Sequence, residues 1–187
     1  MRLVFAITGS SGSIYGVRFL EVCKKLGIET ELVVSEAAEI VMDLELGKSV
    51  KDLLKLATRI YQPGDLTAPP SSGSHLVDGM AVVPCSMNTL AEIANGISHD
   101  LITRAADVTL KQGRTLVLVP RETPLNLVHL ENMEKLKRAG AVILPASPAF
   151  YIKPNKISDL VDFIVGRVLE MFGVKHKLYR NWDGSSR

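Results

Sequence analysis

Apolar residues fall into two rhythms along this chain. At 3–7, 31–34, 80–83, 116–119 and 141–144 they form short runs without the alternation of a strand that has one wet face. Such runs predict strands covered on both sides, as in a parallel sheet beneath helices. Between them, apolar positions recur at helical spacing. Helices are expected at 14–25, 36–46, 87–95, 101–111, 126–139 and 157–172, with a shorter one at 50–58. In the last helix Leu160, Phe163, Ile164, Val168 and Met171 keep that spacing, with Arg167 among them. Gly27, Gly47, Gly113, Gly140 and Gly173 stand where helices end, and Ser35 where one can be capped. The segment 62–78, rich in Pro, Gly and Ser, is a loop long enough to be functional or mobile.

Strands alternating with helices predict one α/β domain over residues 1–187, Rossmann-like (flavodoxin-like), in three layers with a mostly parallel sheet. Right-handed crossovers place the turns at 8–12, 34–35, 84–89, 120–123 and 145–151 on one edge. Ligands of open α/β sheets bind at that edge. Neither a repeat nor a second domain is visible. Residues 173–187 are a polar tail carrying Tyr179 and Trp182.

Composition narrows the possibilities. With 47% hydrophobic and 22% charged residues the chain has an ordinary soluble composition. A net charge of +2 without a basic block does not suggest nucleic acid. No apolar run approaches the roughly 20 residues of a membrane span, and Met1 leads into the first strand without a signal-peptide pattern. Cys23 and Cys85 show neither metal spacing nor a disulfide framework, so a reducing cytoplasm is the expected compartment. His75, His99, His129 and His176 lack metal-ligand spacing, and no DDxxD-type run is present, so metal-dependent chemistry is not suggested.

The turns carry the candidate chemistry. In TLVLVPRETP, Arg121 and Glu122 are held at the end of a buried strand between Pro120 and Pro124. Arg suits a phosphate and a partly desolvated Glu suits proton transfer, although a surface salt bridge would use the same residues. TGSSGSIYG is neither GxGxxG nor a P-loop. Its small residues let backbone N–H groups approach a phosphate at a helix start, with Ser10, Ser11 and Ser13 adding hydroxyls; a tight turn without a ligand is the other reading. In PCSMNTLAEIANG, Ser86 or Thr89 can touch a ligand while opening a helix, and Cys85 reads as a small inert thiol. RAADVTLK places Arg104 and Lys111 two helical turns apart on one face, as an anion site or as two solvated cations.

These motifs, with VVSEAA, SSGS, HLENM and PAFY, resemble the UbiX-type flavin prenyltransferases, within the flavin-containing Cys decarboxylase-like fold. The resemblance runs from about Leu3 to Trp182, and RAADVTLK, VPRETPL and HLENM in that order carry it most specifically. It implies an enzyme that joins a dimethylallyl group from dimethylallyl monophosphate to N5 and C6 of reduced FMN without a metal. The product, prenylated FMN, would serve a UbiD-type decarboxylase. It also implies a homo-oligomer, a dodecamer of trimers, with sites between subunits. Position by position, it implies that Gly9, Ser10, Ser11, Ser35, Ser86, Met87, Asn88, Thr89 and Arg121 contact FMN. Tyr151, Arg167, Lys111 and Arg104 match contacts to the prenyl phosphate, and Trp182 a tail aromatic near the site. Glu122 matches the acid beside the reacting centre, and Ser11 and Glu45 a proton relay. Without the resemblance Arg167 reads as a snorkelling surface residue, Tyr151 as a core aromatic with a wet hydroxyl, and Glu45 as a helix-end carboxylate.

Two other functions are compatible with parts of the chain. His75 stands where the prenyltransferases commonly carry Phe or a small residue, and Met87-Asn88 is similar to the PxMN motif of the peptidyl-cysteine and phosphopantothenoylcysteine decarboxylases. The Met-Trp expected after that motif is absent. A non-catalytic FMN carrier is the third reading, although a carrier has no need of a second set of phosphate cations.

Overall fold

The computed structural model describes residues 1–182 and 184. Six strands, β1 (Arg2–Ile7), β2 (Glu29–Val34), β3 (Arg59–Tyr61), β4 (Gly79–Cys85), β5 (Thr115–Pro120) and β6 (Val142–Ile143), form one sheet in the order β3-β2-β1-β4-β5-β6. Every neighbouring pair is parallel. The helices are α1 (Ser13–Lys25), α2 (Glu36–Leu46), α3 (Val50–Leu53), α4 (Met87–Ala94), α5 (Leu101–Lys111), α6 (Leu127–Arg138) and α7 (Ile157–Met171). Among the described residues no helix is long and apolar enough to cross a membrane.

The continuous apolar runs are explained by two cores. Phe5, Ile7, Leu32, Val34, Val83 and Val119 face α1 and α7 on one side of the sheet. Their neighbours Val4, Ala6, Val33, Val82 and Leu118 enter a second core under α4 and α5. Successive strand residues point to opposite faces, so a sheet buried on both needs no polar alternation. Phe5 stacks on Phe19 of α1 with ring centroids 4.6 Å apart. The helix approaches this closely because position 16 has no side chain. A Cβ on Gly16 would lie 2.5 Å from the Val83 carbonyl oxygen and 2.9 Å from Ile7 Cδ1.

The order of strands reverses between β1 and β4, and the turns that follow these strands part there. Helix α2 lies along this edge. Ala37 in its first turn meets Gly9, and Glu45 in its last turn meets the start of α1. The N-cap of α1 is Gly12, at φ 107, which has no side chain to satisfy the first amides. Glu45 supplies the acceptor. It takes the Gly12 N–H at 3.0 Å and the Ser13 N–H at 2.9 Å. Burial pushes the Glu45 carboxyl up, but hydrogen bonds from the Ser11 side chain and the Gly12 and Ser13 amides outweigh it and hold the group below its usual 4.5.

One expected element is corrected. The helix at 50–58 ends at Leu53. Thr58 ties the chain to the sheet edge instead, donating its N–H to the Thr30 carbonyl at 3.0 Å and accepting the Thr30 N–H on Oγ1 at 3.0 Å. Three residues of strand, β3, follow, too short for a period to show in the sequence. The loop 62–78 is as expected apart from a 3-10 turn at Pro69–Ser71. Val83–Pro84 and Thr123–Pro124 are cis peptides.

Gly16→Ala is expected to lower stability by about 1–3 kcal/mol, the usual cost of forcing an extra carbon into a packed core. A urea-unfolding midpoint equal to the parent's would show that α1 does not depend on this contact. The depressed Glu45 carboxyl stabilises the fold above its ordinary pKa, and that contribution is lost as pH falls through the folded value. Glu45→Gln should therefore be less stable than the parent at neutral pH; the gap should begin to narrow near pH 4.5, the unshifted carboxyl value, and close only below the depressed folded value. Thermal unfolding across that range measures the difference, and parallel curves would assign Glu45 no such part.

Candidate functional site

The ends of β1 and β4 are fastened together by one hydroxyl. Thr8 Oγ1 donates to the Pro84 carbonyl at 2.9 Å and accepts the Ser86 N–H at 2.7 Å. The Thr8 N–H also reaches the Pro84 carbonyl at 3.2 Å, and the Ser35 N–H reaches that of Ile7 at 3.1 Å. Three strand ends thus hold the turns after β1, β2 and β4 side by side. Above them lies a cleft of about 600 Å³, lined by Gly9, Ser35, Ala37, Ser86, Asn88 and Thr89, with Pro63, Gly64, Glu36, Glu92, His99 and Asp100 around them. This is a size ordinary for a small-molecule or cofactor site.

The polar groups of the cleft suit a ligand rich in oxygen. Two helices start at it. Ser35 caps α2 by accepting the Ala38 N–H, and Ser86 caps α4 by accepting the Thr89 N–H at 3.1 Å. Each hydroxyl keeps a proton to donate, although Ser86 Oγ and Thr89 Oγ1 share one at 3.0 Å. Both helix starts favour an anion. A Cβ on Gly9 would lie 2.5 Å from the Ala37 Cβ, so a side chain there would fill the floor of the cleft. Ser10 Oγ is buried without a hydrogen-bond partner among the described residues. A bare-backbone cradle, two helix starts and an orphaned buried hydroxyl fit a flavin nucleotide with its phosphate and ribityl oxygens.

The structure sorts the remaining residues into three groups. Beside the cleft, half-buried Arg121 donates from Nε to the Ser11 carbonyl at 3.0 Å, which joins the turn after β5 to the turn after β1. Glu122 follows it into solvent and accepts the Thr123 N–H at 3.0 Å. Ser11 is exposed and hydrogen-bonded through its side chain to Glu45. Met87 turns into the core under α4 and does not line the cleft. A second group lies along α7. Tyr151 packs edge-on against Phe163 at 6.0 Å and against Trp182 at 5.6 Å, and Arg167 pairs with Glu170 one turn on. The third group is on α5. Arg104 donates to the Ser71 carbonyl at 3.0 Å and to Asp107 at 3.0 Å. Lys111 is exposed in the last turn. α5 begins at the cleft, where Asp100 caps it, and its 11 residues run about 16 Å toward the opposite edge, where β5 begins. Within one chain, the structure brings Lys111 neither to Glu122 nor to the cleft.

Sequence reasoning missed Thr8, Pro63, Gly64, Glu92, His99 and Asp100. Thr8 carried a signal, since a hydroxyl closing a buried strand must find a partner. The others come from a loop, a helix boundary and the body of α4, which only the folded chain lays against the cleft. Cys85 is fully buried and burial raises its thiol pKa, as it does that of Cys23, to about 12 for the latter. Both are inert in this state. His75 turns inward. Its Nε2 meets the Glu31 carboxylate at 2.8 and 3.0 Å, Glu31 being only 4% exposed, and its carbonyl accepts from Arg114 at 2.8 Å. That geometry anchors the 62–78 loop and commits the His75 imidazole to Glu31. The tail from Gly173 runs back along α7, and residues 183 and 185–187 of the expected tail lie outside the described residues.

Comparison with known proteins agrees with this architecture. The Flavoprotein family matches residues 1–169. The flavin prenyltransferase UbiX of Methanocaldococcus jannaschii is 46% identical over 182 residues, covering 97% of this chain and 98% of that protein. Among solved structures, AnUbiX (PadA1) in complex with FMN and dimethylallyl pyrophosphate superposes with a TM-score of 0.96 at 48% identity, covering 98% of this chain and 97% of that one. A dodecameric FMN-dependent UbiX-like decarboxylase from Escherichia coli O157:H7 gives 0.96 at 46% identity, covering 98% and 100%. A doubly wound sheet with a nucleotide-sized cleft at its switch point, matched nearly end to end by such relatives, means that the chain belongs to the flavoprotein family as a flavin prenyltransferase of the UbiX type.

Proposed function

We propose that this enzyme transfers the dimethylallyl group of dimethylallyl monophosphate to reduced FMN and so makes prenylated FMN. The observation that carries this reading is the cleft at the β1/β4 switch point with Arg121 fastened beside it to Ser11 and Glu122 next in the chain. FMN is a substrate here, held by Gly9, Ser10, Ser11, Ser35, Ser86, Asn88, Thr89 and Arg121. The reduced flavin supplies the nucleophile, and the allylic C–O bond breaks with its electron pair leaving on the phosphate.

Monophosphate is a poor leaving group, so cations must meet the charge that develops on it. Arg167 and the Tyr151 hydroxyl supply one side. Arg104 and Lys111 lie on a different helix, and Lys111 lies toward the opposite edge, so we assign them to the donor bound at a neighbouring subunit's cleft. A homo-oligomer, of the dodecameric kind seen in the Escherichia coli neighbour, would bring the sets together. Trp182 and Tyr151 would shut out water, which protects a short-lived allylic cation. Ring closure adds C6 to the prenyl double bond, which takes up a proton while C6 gives one up, and Glu122, exposed beside Arg121, with the departing phosphate carries that proton. Ser11 and Glu45 offer a path outward. Glu45, already capping α1 and depressed in pKa, is a weak base and serves by aiming Ser11. The product would pass to a UbiD-type decarboxylase, in the cytoplasm.

The anaerobic protein, incubated with reduced FMN and dimethylallyl monophosphate without added metal, should release a flavin heavier by one dimethylallyl-derived group in mass spectrometry. Unmodified FMN bound one per chain would overturn the reading and leave a carrier. Glu122→Gln is expected to slow product formation by about a hundredfold, the scale of one lost general base, while flavin fluorescence shows FMN affinity unchanged. Full activity in that variant would remove Glu122 from the proton transfer.

A further inference from the structure

Arg167 and the tail meet at one carboxylate. Glu170 stands one turn after Arg167 on α7, and its Oε2 accepts from Arg167 Nη1 at 2.5 Å. Its other oxygen, Oε1, accepts the Tyr179 hydroxyl at 2.5 Å. An exposed Arg–Glu pair at this spacing normally contributes little, because either side chain can rotate away. Here the carboxylate is held from behind. It cannot turn toward solvent without releasing Tyr179.

Tyr179 is itself seated in the helix surface. A Cβ on Gly166 would lie 2.5 Å from Tyr179 Cε1 and 2.6 Å from His176 Cε1, so the tail fits only because α7 has no side chain there. His176 Nε2 reaches the Gly166 carbonyl at 3.1 Å, and a carbonyl only accepts, so Nε2 carries the proton. His176 Nδ1 accepts the Leu178 N–H at 3.2 Å. The Tyr179 ring packs on Phe163 at 4.8 Å, Phe163 on Tyr151, and Tyr151 on Trp182. One chain of contacts therefore leads from Glu170 through the tail to both aromatic residues assigned to the prenyl donor. A second leads directly to the arginine assigned to its phosphate. A guanidinium has five N–H donors, and its bond to Glu170 leaves others for an anion.

We propose that Glu170 is the positioning residue of the phosphate arm: it orients Arg167 and, through Tyr179, makes that orientation depend on the tail's being closed on α7. The proposal rests on the assignment of Arg167 to the donor phosphate. Neither Glu170 nor Tyr179 touches the reacting atoms, so removing them should weaken donor binding more than it slows the chemical step.

Glu170→Gln is the first variant, since it keeps the shape and removes the charge. Its KM for dimethylallyl monophosphate should rise about tenfold, the scale of one oriented charged hydrogen bond, with kcat at saturating donor within about twofold. The dissociation constant of the same donor, titrated calorimetrically into protein loaded with oxidised FMN, should rise in parallel without turnover. Tyr179→Phe should give a smaller rise, and the double variant should fall short of the product of the two. If Glu170→Gln fails to fold, Tyr179→Phe carries the same test. A lower melting temperature with unchanged donor affinity in these variants would mean that Glu170 only staples the tail, and would overturn the proposal. Arg167→Ala separates the two ways of failing. If it raises the donor KM while Glu170→Gln does not, the inference fails alone; if it leaves donor binding unchanged, the phosphate assignment fails and the inference with it.

Discussion

The site depends on how two strand ends are held at the point where the sheet changes direction. Parallel strands that part company leave unsatisfied backbone groups, and nothing in the ladder supplies partners there. Thr8 closes the gap with a single hydroxyl, giving its proton to Pro84 and taking one from Ser86. Because Ser86 also caps α4, the bond fixes the starting direction of that helix relative to β1. The cleft is the space above this knot. Its walls are turns, but turns tied to strands buried on both faces, which is how loops gain the rigidity that binding requires.

Close approach is the second constraint. Gly16 lets α1 lie against β4, Gly9 lets α2 lie across the edge, and Gly166 lets the tail settle on α7. At Gly16 and Gly9 a methyl group would collide with a carbonyl or a Cβ that has little freedom to move, and at Gly166 it would meet the rings of Tyr179 and His176. α2, laid along the edge, brings Ser35 to one end of the site and Glu45 to the other. The same helix therefore forms part of the cleft wall and completes the hydrogen bonding of α1.

The charged residues are distributed differently. Arg121 belongs to the cleft, Arg167 to the outer side of α7, and Lys111 to the far end of α5. Lys111 is kept away from the cleft by the length of α5, which begins there and ends toward the edge where β5 starts.

Fold class was legible because both signals were strong. Doubly buried runs read as strands in a parallel sheet, and helical spacing read as the layers that cover them. The turns of TGSSGSIYG and PCSMNTLA announced small residues and hydroxyls at helix starts, and VPRETP an Arg and a Glu at a strand end. Those are local properties, encoded within a few residues. What the sequence did not determine is long-range. The helix expected at 50–58 stopped at Leu53, and β3 followed, because Thr58 found Thr30, 28 residues away. His75 became an anchor because Glu31 is buried beneath it. Glu45 became a cap, and Lys111 was carried away from the cleft, through the paths that the connections take. Periodicity records which face of an element is apolar, and it carries no information about which distant polar group will stand opposite. That choice was made by the tertiary structure, where each buried or half-buried polar atom takes the partner that the packing of the two cores leaves within reach.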